Sequence, residues 1–372
     1  MATSVINTQS KTLPAVDLST IKNLLNLVVE RNASDLHIAI GYPPFIRIDG
    51  QLCAVGSTTL TSEQISFFIK ETLQGKKAER LEQDLEVDYG FSLGNVARFR
   101  VNAFYERGSL AAAFRLIPTK ILSLEDLHMP KTMYYLSELT QGFVLVTGPT
   151  GSGKSTTLAG IIERINQYQN RHIITIEDPI EYVYSPKKSF ISQRELEHDT
   201  LNWQVALKSA LRQDPEVVLI GEMRDYETIA AALTIAETGH LVFATLHTNS
   251  AAQAIDRIVD VFPPHQQNQI RVQMANVLQA VVSQRLVALQ GGGRQASLEI
   301  LIANSAVKNL IREGKSFQID NVIATSSEMG MITMEQSLVN LVREGKITVE
   351  DAQSYSLRPD EILKLLRLNK TF

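Results

Sequence analysis

The sequence predicts an α/β protein of two domains, the larger a mostly parallel sheet with helices on both faces that runs into a helical C-terminal region. Three observations carry that expectation. From residue 142 onward, apolar runs of strand length alternate with helical periodicity. A glycine-rich turn joins the first of those strands to the first helix. Ahead of them, two helical patterns lie among alternating strands bounded by turn residues, as in a small α+β domain. At 372 residues the chain is also too long for one ordinary core.

Residues 1–16 are polar and lack the apolar stretch of a signal peptide, so a disordered lead is expected there. Residues 17–117 form the expected first domain. An amphipathic helix opens it over 17–31, where Ile21, Leu24, Leu25, Val28 and Val29 recur at helical spacing. Strands follow at 35–40 and 44–48, then an Asp49-Gly50 turn and a further short strand. A second helix is expected over 62–83. After it come a strand at 88–92, a Gly94-Asn95 turn, and strands 96–105 and 109–116 joined at Arg107-Gly108.

Residues 118–130 lack periodicity, are bounded by prolines, and read as a linker or hinge. The second domain, 131–372, should alternate strand 142–147, helix 154–168, strand 172–176, helix 202–212, strand 216–221, helix 225–238 and strand 241–246. Beyond about 300 it turns helical. Two late segments there, Leu310-Ile311-Arg312-Glu313-Gly314-Lys315 and Leu341-Val342-Arg343-Glu344-Gly345-Lys346, share an ending that reads as helices stopped by glycine.

Composition narrows the function classes. With 44% hydrophobic and 20% charged residues, the chain has the balance of a soluble globular protein. A net charge of −4 argues against holding nucleic acid by whole-surface charge, though a local basic channel stays open. Cys53 is the only cysteine, which excludes an intrachain disulfide and a cysteine-based zinc site and suits a reducing compartment. No run reaches the ~18 apolar residues of a membrane span. Contact with a membrane would therefore go through a partner.

Gly148-Pro149-Thr150-Gly151-Ser152-Gly153-Lys154-Ser155 fits the phosphate-loop pattern at every position, with a buried-strand pattern before it and a helix from Ser155 and Thr156 onward. Glycines let successive backbone N–H groups curl around phosphate oxygens, and the helix N-terminus adds positive potential. Lys154 is then suited to bridge the β- and γ-phosphates, and the Ser155 hydroxyl to ligate Mg²⁺. ATP and Mg²⁺ are the expected cofactors.

Two apolar strands end in acids. Residues 216–222 deliver Glu222, which can reach Mg²⁺ directly or through water, or polarise the attacking water; the Gly-Glu ending leaves its role open. Ile174-Thr175-Ile176-Glu177-Asp178-Pro179 ends at a proline that forces a turn, and Glu177 is the candidate to orient and deprotonate water. His240 and His247 flank strand 241–246, roughly 20 Å apart on a standard rise, so they do not share a metal. At the C-terminal end His247 can sense the γ-phosphate. In strand 96–105, Arg98 and Arg100 share one face by the period of two, and Arg115 ends the next strand. A solvated sheet face and a charge donor to phosphate both fit these arginines.

Together these segments resemble the secretion and type IV pilus ATPases over about residues 32–360. Ala33-Ser34-Asp35-Leu36-His37 with Pro44-Phe45-Ile46-Arg47-Ile48-Asp49-Gly50 looks like the family's PAS-like N-terminal domain. Residues 176–181 are similar to its Asp box, 217–222 to its Walker B strand and 238–249 to its His box. The resemblance implies a RecA-like ATPase domain in which Glu177 activates water and Glu222 holds the Mg²⁺ environment. His240 and His247 become His-box residues that meet nucleotide, and Arg100 and Arg115 reach it across the domain interface.

It further implies a cytoplasmic homohexamer acting on an inner-membrane pilus platform protein, with a second retraction ATPase as a possible companion and no nucleic acid or membrane insertion. The absent four-cysteine zinc element, and Ala306-Val307-Lys308-Asn309-Leu310-Ile311-Arg312-Glu313, resemble the retraction branch; Val307 and Lys308 depart from its motif. The expected function is ATP hydrolysis powering pilus retraction and twitching motility. An accessory ring ATPase with little turnover, a pilus-extension or type II secretion ATPase, and a nucleic-acid translocase are the alternatives.

Overall fold

The computed structural model describes residues 13, 14, 16–48, 50–73, 75–94, 96–117 and 120–368. Most of the expected lead, Asp49 and Asn95 of the two expected turns, and residues 118–119 of the expected linker lie outside them. The chain divides into two compact units. One gathers the described residues up to Lys120 with Pro179–Val183; the other takes Ile121–Asp178 and everything from Tyr184 onward.

The first unit is built on a six-stranded sheet of β1 (Asp35–Ile38), β2 (Phe45–Ile48), β3 (Gln51–Ala54), β4 (Glu86–Leu93), β5 (Ala97–Glu106) and β6 (Ser109–Ile117). Its spatial order is β3-β2-β1-β6-β5-β4, with every pair antiparallel. Along β5 the period of two sends Phe99, Val101 and Ala103 into the core and leaves Arg98, Arg100 and Asn102 half-buried on the other face. Arg107 and Gly108, with φ of 51° and 76°, close the β5–β6 hairpin in the left-handed geometry that a two-residue turn requires.

The core face is covered by helix Ile21–Glu30, whose Ile21, Leu24, Leu25, Leu27 and Val28 are buried, and by helix Ser62–Thr72. The single helix expected over 62–83 is in fact two, Ser62–Thr72 and Lys76–Asp84, because Gly75 adopts φ of 64° between them. The lead also proves to be structured earlier than expected. Leu13 N–H donates to Ala54 O at 2.8 Å, and Gly56 N–H to Leu13 O at 3.0 Å.

The second unit is built on β7 (Gly142–Thr147), β8 (His172–Glu177), β9 (Phe190–Glu195), β10 (Val217–Ile220), β11 (Leu241–Leu246), β12 (Leu278–Ala288) and β13 (Arg294–Ile302). They run in the order β13-β12-β7-β11-β10-β8-β9, all neighbours parallel except β12–β13. Every residue of β7, β10 and β11 is buried, as covering a parallel sheet on both faces demands. Strands β9, β12 and β13 were not expected; the helical region begins only after Ile302.

Of the expected linker, residues 121–130 belong to this unit rather than to a free tether. A Cβ on Gly160 would come within 3.3 Å of both Leu124 and Leu127, so this segment is packed on helix Lys154–Tyr168. The two glycine-terminated helices end as the sequence implies. Gly314 and Gly345 take φ of 68° and 67°, and the N–H groups of Lys315 and Lys346 reach back to Leu310 O and Leu341 O at 2.9 Å.

Candidate functional site

The site lies at the C-terminal edge of the parallel strands. Register pairs Leu246 of β11 with Thr147 of β7, and Ile220 of β10 with both Ala244 of β11 and Ile176 of β8. The residues that follow these strands, 148 onward, 221–222, 247 and 177, therefore emerge along one edge, where open parallel sheets place ligands.

After β7 the chain turns through Gly148–Gly153 into helix Lys154–Tyr168. That helix has Gly153 at its N-cap with φ of 87° and no side-chain cap, so its first-turn N–H groups are left for another acceptor. Gly148 is required sterically: it sits at φ of 144°, and a Cβ there would fall 2.3 Å from Gln284 O. Lys154 is buried, and its Nζ donates to Gly148 O at 2.8 Å and Pro149 O at 3.0 Å, curling the ammonium back over the loop. Thr150, Gly151, Ser155 and Thr156 complete the turn and the first helical residues. This cradle of backbone donors, a lysine and a serine hydroxyl is chemically suited to a nucleotide's phosphates.

Glu177 ends β8 and is buried; its Oε1 accepts from Thr175 Oγ1 at 2.7 Å. Beside it, Gly221 donates its N–H to Ile176 O at 2.8 Å, and any Cβ at 221 would press to 3.2 Å from Glu177 Cα. The glycine thus lets the two acid-bearing strand ends lie side by side. Thr245 Oγ1 donates to Gly221 O, 2.5 Å away, which secures β11 to the same tip.

Glu222 is engaged by the Arg224 guanidinium, Nη2 at 2.8 Å, and by the His247 imidazole, Nε2 at 3.2 Å. Partial burial pushes its carboxyl upward, but the Arg224 hydrogen bond and charge, with His247 and Lys154, outweigh it and hold the group below its ordinary range. It is therefore a carboxylate at neutral pH. Among the described residues no three His, Cys, Asp or Glu side chains gather to hold a metal. A Mg²⁺ arriving on phosphate oxygens needs only one or two protein oxygens, and Ser155 and Glu222 provide that donor chemistry.

His247 joins this edge, but His240 does not. His240 precedes Leu241, which pairs with Gly142 at the start of β7, so it stands at the opposite sheet edge from the phosphate loop. Its Nδ1 lies 2.9 Å from Thr238 Oγ1 and 3.0 Å from Ile235 O, a helix-terminus contact. Six residues of strand separate His240 from the phosphate loop within its own fold.

Arg100 and Arg115 belong to the first unit. They are directly opposite each other on β5 and β6, and Asp35 is opposite Arg115 on β1. Arg115 Nε donates to the buried Asp35 carboxylate at 2.9 Å, while Arg100 among the described residues makes long pairs, 3.9 Å to Asp88 and 3.8 Å to Glu181.

Sequence comparison places this geometry. The profile of the type II/IV secretion system proteins matches residues 11–354. The chain is a member of that family. Within the family it is 47% identical to the type IV pilus retraction ATPase PilT of Pseudomonas aeruginosa, over 91% of this chain and 99% of that one. It is 52% identical to a twitching motility protein of Neisseria gonorrhoeae, over 83% of each. Its fold matches a crystal structure of the pilus retraction motor PilT with bound ADP at a TM-score of 0.86 and 45% identity, covering 93% of this chain and 99% of that one.

Several residues of this family member's site were missed in the sequence. Arg224, two residues past Glu222, could have been found as the nearest cation to a strand-end acid. Gln284 and Ser283 gave no signal, because β12 read as an interrupted apolar run.

Proposed function

We propose that this protein is the ATP-driven retraction motor of a type IV pilus, a cytoplasmic homohexamer that acts on an inner-membrane platform protein of the pilus machinery. It is an ATPase. Lys154 neutralises the β- and γ-phosphates, the Ser155 hydroxyl and Glu222, the latter through water, hold Mg²⁺, and Glu177 orients the attacking water and takes its proton. His247, whose Nε2 lies 3.2 Å from Glu222 Oε1, reports on the γ-phosphate. Arg100 and Arg115 add positive charge across a subunit boundary. Mg²⁺ supplies charge neutralisation on the phosphate oxygens when bound.

The observation that carries this reading is the convergence of the phosphate loop, Glu177 and Glu222 at one sheet edge, on a chain so similar to PilT along almost its full length. Among the described residues no helix is long and apolar enough to cross a membrane, which supports an action through partners. Purified full-length protein should hydrolyse ATP with Mg²⁺, and Lys154→Ala and Glu222→Ala should each abolish turnover; undiminished turnover in both variants would overturn the enzymatic reading. Deleting the gene should leave surface pili that accumulate and do not shorten. Pili that still shorten at the parental rate would refute the retraction role.

A further inference from the structure

Gln284 lies in β12 and is buried, 2% exposed. Its neighbour Ser283 pairs with Thr147, the last residue before the phosphate loop, and their hydroxyls are 2.9 Å apart. From there the Gln284 side chain reaches two further points of the loop. Its Nε2 donates to Ser152 O at 2.7 Å, and its Oε1 accepts from Thr157 Oγ1 at 2.8 Å, in the first turn of the following helix. Ser152 O can only accept, which fixes the amide orientation. Its backbone oxygen is the atom against which Gly148 must be a glycine, and its Nε2 would lie 2.8 Å from a Cβ on Gly153. One residue thus touches the entry, the turn and the exit of the loop.

We propose that Gln284 is a positioning residue for the nucleotide, holding the phosphate loop in its receiving shape before any ligand arrives; this rests on the loop being the triphosphate site. A glycine-rich loop on its own samples many conformations, and ordering it on binding costs conformational entropy. Tethering it from β12 places that ordering in folding rather than in binding, which raises affinity. Both ends of the amide are engaged by protein partners, so the residue acts through the loop rather than on the reacting atoms. The chemistry selects glutamine: a leucine offers no polar group, and a glutamate offers no donor for Ser152 O. Strand β12 is anchored in turn by the next residue, Arg285, whose Nη1 donates to Tyr355 O at 2.6 Å in helix Val349–Tyr355.

The test is steady-state ATP hydrolysis and ADP titration calorimetry on the full chain carrying Gln284→Leu. The KM for MgATP and the Kd for ADP should both rise roughly tenfold, with kcat at saturating ATP kept within about twofold. An unchanged KM overturns the proposal, and so does a fall in kcat with KM unmoved. Lys154→Ala in the same titration separates the two layers of inference. If Lys154→Ala binds ADP as the parent does, the site reading itself fails; if it loses ADP while Gln284→Leu binds normally, only the role of Gln284 fails. Should Gln284→Leu not fold, Thr157→Val breaks the link from the helix side. It should raise KM by roughly threefold to fivefold while Thr157→Ser keeps the parental value, and a folded Thr157→Val with parental KM overturns the proposal.

Discussion

In the first unit's sheet every strand opposes its neighbour and one face stays polar, so arginines are displayed along the strands. In the second unit's sheet the central strands are parallel and buried on both faces, so their charged groups are delivered where strands end. The difference separates two kinds of functional residue. Groups at a strand end can be changed without opening the core, and their effect should fall on nucleotide chemistry. Groups on an open sheet face sit among cross-strand partners, and their effect should be divided between packing and charge.

The largest expected effect is at the strand ends. Lys154→Ala removes the ammonium that the loop folds around and should lower turnover by about 10³-fold or more, with the thermal midpoint little changed. Glu177→Gln is milder and more informative. It keeps the shape beside Gly221 and the hydrogen bond from Thr175, and removes only the base. Turnover should fall by about 10²–10⁴-fold while ADP affinity measured by calorimetry is kept. Equal loss of ADP binding would mean that Glu177 builds the site rather than operates within it, and the distinction drawn between strand ends and sheet faces would blur.

How much of this was legible in the sequence follows from the same contrast. The buried strands β7, β8, β10 and β11 were read almost to the residue, because a fully covered strand is a short apolar run bounded by turn residues. The phosphate loop and both strand-end acids came with them. Gly75 broke an expected helix because the periodicity of 62–83 persists across a left-handed residue. Strands β12 and β13 were missed because Ser283, Gln284, Arg285 and Glu299 interrupt their apolar pattern, and each is polar for a tertiary reason. Ser283 and Gln284 hold the loop, Arg285 holds a distant helix, and Glu299 accepts from Ala251 N–H at 2.7 Å. Partners more than forty residues away leave no local trace.

Glu299 tests the rule that buried sheet faces carry no ionised groups. It lies opposite Ser283 on β13, 3% exposed, and burial, with the negative potential of Asp320 and Glu335, pushes its carboxyl up to about 7 despite the Ala251 N–H and Arg358. In the unfolded chain the value is the ordinary 4.5. The folded state therefore holds the proton more tightly, and stability is lost as pH rises from about 4.5 through 7. The full cost above pH 7 is on the order of 3 kcal/mol. Glu299→Gln mimics the protonated form, keeps an acceptor for Ala251, and should raise the thermal midpoint at pH 8 while changing little at pH 5. A variant destabilised equally at both values would show that the carboxylate is the preferred form.

The smallest effects, and the sharpest, should separate the two cross-strand arginines of the open sheet. Arg115 donates to Asp35, a buried carboxylate also held by the Ser34 hydroxyl at 2.7 Å and by Arg47 at 3.6 Å. Burial alone would raise the Asp35 carboxyl, but the Ser34 hydrogen bond and Arg115 bring it below the ordinary 3.8. That interaction stabilises the fold above the ordinary carboxylate value and is lost as pH falls through the depressed one. Arg115→Ala should thus cost about 1 kcal/mol at pH 7 by chemical denaturation, with the difference from the parent shrinking in acid. Among the described residues Arg100 makes long, exposed pairs to Asp88 and Glu181, so Arg100→Ala should change stability by less than about 0.5 kcal/mol. If Arg100 serves phosphate, its loss lowers turnover without touching stability, whereas Arg115 shows both effects together. Equal destabilisation by the two substitutions would mean that the polar face is one structural network with no residue held in reserve for nucleotide.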